Sequence, residues 1–169
     1  MLRTVLLSAL LGVLPALALA ADPSEHDMQA EHMLGMLIQL EEGPRLMTQA
    51  CKAVDPKGDA PREKLYEDWK TKNKDLFAKI DGYAGEILPQ LLAIVRPDDT
   101  SDAVSSFRAK QQNEMGQEIA QITPDRRKQT CDDFPHAMFF NQERNDAFAK
   151  HAFELLDTWK KEHVANHSA

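Results

Sequence analysis

Five side chains near the start of the chain, His26, Met28, His32, Met33 and Met36, carry the metal chemistry that the sequence offers. On a helix Met28, His32 and Met36 fall four residues apart and share one face. Thioether and imidazole donors together suit Cu(I), a soft ion. The candidate ligand set is therefore His26, Met28, His32 and Met36, and His136 and Met138 could join it from elsewhere in the chain. A core reading competes with this one. Methionine fills irregular gaps in apolar interiors, and the segment from Met33 to Leu40 is apolar on nearly every side.

A second pair of histidines, His163 and His167, sits four residues apart at the C-terminal end, where partly cationic side chains also complement a helix dipole. Asn166-His167-Ser168 matches a glycosylation sequon. Arg126, Arg127 and Lys128 form a basic run beside the start of a helix, a candidate surface for an anionic or protein partner. The alternative is a solvated face paired with Asp125, Asp132 and Asp133. Trp69, Tyr83 and Trp159 could line a pocket but each lies on an inward stripe.

Catalytic signatures are missing: the sequence contains no GxSxG, HExxH, P-loop, GxGxxG or CxxCH pattern. Acidic neighbours such as Glu41-Glu42, Asp98-Asp99 and Asp132-Asp133 diverge on a helix and cannot work as an acid/base couple. The expectation is a protein that is not an enzyme and holds no resident cofactor, copper being the one metal its residues suggest.

The two cysteines, Cys51 and Cys131, lack CxxC spacing and read as one structural disulfide. A reactive Cys131 with His136 as base is the competing reading. The disulfide fits the start of the chain. Residues 1–20 combine Arg3, an apolar stretch from Val5 to Leu14 and the small-residue site Ala18-Leu19-Ala20, the pattern of a secretory signal peptide cleaved near Ala20. Its apolar part is shorter than the roughly 20 residues of a membrane span. The predicted destination is the periplasm or the exterior. Of 169 residues, about 149 remain (21–169), and the loss of Arg3 makes the formal net charge of −7 more negative still. Such an acid surplus argues against nucleic acid and anionic membranes as partners, since both are bound through Lys and Arg.

The elements that must position these residues are helical throughout. The first helix is expected to open at Ser24 and to bend or break at Gly43-Pro44 before Cys51. A second runs from near Pro61 to Arg96-Pro97 with a kink near Pro89, and a third from about Thr100 to the residues before Thr123-Pro124. The fourth carries Cys131 and Phe134 up to Pro135, and the last starts near Asn141 and bears Phe148, Ala152, Leu155 and Trp159. The sequence thus predicts one all-α domain, an up-and-down bundle of four or five helices with one disulfide.

Signal peptide, Cys51, a proline-containing turn, Trp69 with Asn73, and Cys131 after Thr123-Pro124-Asp125-Arg126 together resemble a loose group of helical, disulfide-containing periplasmic proteins of proteobacteria. The resemblance implies fold and compartment and carries no activity or site residue. With it, the expected role is binding another macromolecule, as an inhibitor, an immunity protein or a stress-protective protein. Copper binding through the His/Met cluster is the alternative, and a hydrolase assembled from dispersed residues a third.

Overall fold

Residues Glu25–Val54 form one helix of 30 residues, α1, in a computed structural model that describes residues 23–97, 102–137 and 140–163. Ser24 opens it as expected. Its extended backbone and its hydroxyl, which accepts from the Asp27 amide at 3.2 Å, are answered by the Asp27 carboxylate, which accepts from the Ser24 amide at 2.8 Å. This reciprocal capping satisfies amides that the first turn would otherwise leave unpaired. The expected break at Gly43-Pro44 does not occur. Both residues are buried inside an unbroken α1. Proline removes one backbone donor, and the helix continues because tertiary packing on α1 outweighs that loss. Thr48 adds a hydroxyl bond to the Pro44 carbonyl at 2.7 Å.

After a 3₁₀ turn at Pro56–Gly58 come α2, Asp59–Lys72, and α3, Lys74–Val95. The periodicity predicts one helix here, and the structure divides it at Asn73. That residue is 3% exposed, with φ −101° and ψ 12°. Its amide nitrogen donates to the Trp69 carbonyl and its amide oxygen accepts from Gln142, each at 2.9 Å. Asn competes with the backbone for such bonds, so one buried side chain turns a continuous pattern into two helices. Asn73→Ala is expected to lower stability by about 1–3 kcal/mol through these lost partners. A urea midpoint that falls at unchanged m value would show it.

Ala103–Gln121 form α4 with Asp102 as its cap, Pro124–Asp132 form α5, and Gln142–His163 form α6. A 3₁₀ turn, Phe134–His136, follows α5, so Phe134 lies beyond that helix. Among the described residues there are six α-helices and no strand, and the break at Asn73 accounts for the count exceeding four or five. None of these helices is long and apolar enough to cross a membrane. The expected signal-peptide segment, Asp98-Asp99, Thr100, Met138, His167 and the sequon lie outside the described residues.

α1 is the element the others share, packing against α2, α3, α4, α5 and α6. Glu31 near its start pairs with Arg96 at the end of α3, and Asp27 meets Trp159 at the end of α6, so both run antiparallel to it. Leu34, Leu37 and Ile38 of α1 meet Ile87 of α3 and Phe153 and Leu156 of α6 in the main core. Each such side chain contributes about 1.5–3 kcal/mol on burial. Arg108 of α4 adds a polar tie, reaching Glu41 of α1 at 2.9 Å and also Asp81 of α3. A separate small core at the other end of α1 holds Met47, Phe134 and the disulfide Cys51–Cys131, whose Cα atoms are 5.4 Å apart. With both cysteines bonded, the reading of Cys131 as a reactive thiol is overturned.

Candidate functional site

α4 and α6 flank α1, and the described residues leave the strip of α1 between them uncovered. Met28, His32, Met36 and Gln39 lie along it. Met28 is 54% and Met36 37% exposed, the large hydrophobic side chains most open to solvent among the described residues. That overturns the core reading for these two methionines. Met33, one position off the strip, packs against the core. A cavity of about 340 Å³ runs over Met28, His32 and Met36, with Lys110, Gln111 and Glu114 of α4 as its wall. A second, of about 330 Å³, shares Met36 and Gln39 and continues to Met115 of α4 and Phe148 of α6. The two form one groove whose floor is α1.

Local sequence explains its shape. The Gln111 side chain lies against α1 at Gly35, close enough that a Cβ there would be in van der Waals contact with it, 3.4 Å away. Gln39 then donates to Gln111 at 2.7 Å across the floor. At the far end the Glu31–Arg96 pair closes the groove. His32 is exposed, and Glu31 and Glu114, paired with Arg96 and Lys110, line the same cavity.

Of the four proposed metal ligands, Met28, His32 and Met36 line one cavity, with the two thioethers two turns apart on α1. His26 does not. It points toward α6, with its Nδ1 3.0 Å from the Glu162 carboxylate. His136 borders a different hollow with Arg126 and Gln129. Among the described residues no group of three or more His, Cys, Asp or Glu side chains has metal-holding geometry, a set that leaves thioethers uncounted.

The basic run is divided by the fold. Arg127 donates to the carbonyls of Ala120 and Ile122, each at 3.1 Å, and so finishes the C-terminal end of α4. Lys128 pairs with Asp132 at 2.7 Å, and Arg126 is exposed beside Glu118 and Thr130. The three cations therefore present no common face. Trp69 and Trp159 are buried in the main core. Tyr83 packs on Phe153 and donates to Asp157; burial, with the Asp157 carboxylate, pushes its phenol up to about 12.

A polar cluster that sequence reasoning did not assemble joins the start of α1 to the end of α6. The Asp27 carboxylate, 4% exposed, accepts from Ser24 and from the Trp159 indole at 2.7 Å. His163 stacks on Trp159, with one ring nitrogen 3.3 Å from Asp27 and the other 2.9 Å from the Trp159 carbonyl. Burial alone would raise the Asp27 carboxyl, but hydrogen bonds from Ser24 and Trp159, with His163 nearby, outweigh it and hold the group below its ordinary value. The spacing Ser24-x-x-Asp27 is the one local signal for it. Its job is mechanical: it fastens two helix ends, and no cavity opens onto it among those described above.

Comparison of the chain with protein-family models, curated proteins and solved structures finds no match.

Proposed function

We propose that this is an exported, non-enzymatic helical protein that binds another protein through the α1 groove, in an inhibitory, immunity or stress-protective role. The observation that carries the reading is the pair of exposed methionines, Met28 and Met36, on the floor of a groove that no described residue fills. Flexible thioether side chains suit surfaces that repack around a partner. The leader-like start of the sequence and the disulfide support an oxidising compartment. We read the architecture as an up-and-down bundle of four legs: α1, α2 with α3, α4, and α6.

The double variant Met28→Asp/Met36→Asp places two charges on exposed positions and leaves the core untouched. A stoichiometric partner recovered from periplasmic extract with the wild-type protein is expected to be lost with this variant, at unchanged circular dichroism. Recovery as a lone monomer, or a partner retained equally by both proteins, would refute the reading.

A further inference from the structure

We infer that the α1 groove receives a single amphipathic helix of a partner protein, about three turns long, with a basic residue on one flank of its apolar stripe and an acidic residue on the other. The inference rests on the groove being a protein-binding surface and adds what the occupant is.

Backbone chemistry selects the helix. The floor and both walls are α-helices, whose amides and carbonyls pair within each helix. An extended segment laid over Met28 and Met36 would bury its own N–H and C=O groups against thioethers without a partner, whereas a helix satisfies them itself. Spacing agrees. Met28, Met36 and Leu40 stand along the floor, with Met115 and Phe148 on the walls, and such rows of side chains take the ridges of a second helix. From Met28 to Leu40 the floor runs about 18 Å, the length of three turns.

Charge fixes the flanks. Glu31 and Glu114 are already paired with Arg96 and Lys110. Glu118 on the α4 wall and Arg144 on the α6 wall are exposed and make no ion pair among the described residues. A helix lying between them meets a carboxylate on one side and a guanidinium on the other, as the charges beside a coiled-coil seam do to set partner and orientation. Turning a helix end for end exchanges its flanks. An occupant with one charge of each sign therefore has one preferred direction, while an occupant with two like charges meets a like charge either way.

The test uses purified protein at low salt and three synthetic peptides of about 14 residues, held helical by a lactam bridge on the solvent face. They share a leucine stripe and carry Lys/Glu, Lys/Lys or Glu/Glu on the two flanks. Fluorescence anisotropy is expected to show micromolar binding of the Lys/Glu peptide and about fivefold weaker binding of the other two. Glu118→Lys is expected to make Glu/Glu the tightest of the three, and Arg144→Glu to make Lys/Lys the tightest; both positions are exposed, so circular dichroism should not change. Equal affinity of the three peptides, preferences that ignore these variants, binding that survives Met28→Asp/Met36→Asp, or equal binding of a proline-broken linear peptide would each overturn the inference, as would no binding at about 100 μM peptide. A partner captured from extract and lost with the aspartate variant, while no peptide binds, would keep the protein-partner reading and remove the helical occupant. Peptide binding without any captured partner would do the reverse.

Discussion

Replacing Cys51 and Cys131 together by alanine is expected to destabilise the protein by up to about 4.5 kcal/mol and to release α5 before the rest of the bundle. The upper figure comes from the entropy that a crosslink removes from the unfolded chain, here for a sequence separation of 80 residues. The order of release comes from packing. The disulfide sits with Met47 and Phe134 in a core distinct from the one that joins α1, α3, α4 and α6. α5 contributes a single buried residue to either core, Cys131 itself. Without the bridge, α5 keeps the Arg127 bonds to the end of α4 but loses its attachment to α1. Hydrogen exchange in the double variant should show α5 amides near the rate of an open peptide while α1, α3 and α6 stay protected. Uniform loss of protection across all helices would contradict the separation of the two cores.

Asp27→Ala is the second large effect, about 2–3 kcal/mol of lost stability. The change removes the Asp27 half of the capping box at Ser24, worth up to about 1 kcal/mol, and leaves the buried Trp159 indole without its acceptor, worth about 1–3 kcal/mol. Its pH dependence has a definite sign. Because the folded carboxyl lies below its ordinary value, its contribution is fully present above the unfolded pKa of about 3.9 and is lost as pH falls through the lowered folded value. Denaturation curves of the wild type and of Asp27→Asn should therefore differ near neutrality and draw together in acid. A gap that stays constant down to acid pH would show that the indole contact, rather than the charge, supplies the stability.

Much of the helical plan was legible because helix ends are local chemistry. Ser24, Arg96-Pro97 and Thr123-Pro124 mark boundaries within a residue or two of where the helices stop or start, while the start expected near Thr100 falls at Ala103, behind the Asp102 cap. The pairing of Cys51 with Cys131 followed from there being two cysteines. What escaped was set by distant partners. Pro44 reads as a breaker until five other helices pack on α1, and Asn73 reads as an ordinary polar position until Gln142 reaches it from α6. Lys79 likewise lies over the Phe153 ring of α6, a contact that no local pattern encodes.

The site shows the same division. The four-residue spacing of Met28, His32 and Met36 was visible, but their exposure depends on how far apart α4 and α6 stand, which no local pattern encodes. His26 looked equivalent to His32 until Glu162 claimed it from the opposite end of the chain. The basic run at Arg126 to Lys128 looked like one patch because sequence adjacency hides that Arg127 turns back to α4.

The bond between Asp27 and Trp159 spans 132 residues. A chain made from its amino end exposes the central helix first and delivers the indole that fastens it only 132 residues later. α1 therefore emerges long before its lasting neighbours exist, and contacts of such separation form late and slowly. The first turn of α1 therefore stays unfastened until α6 has been made.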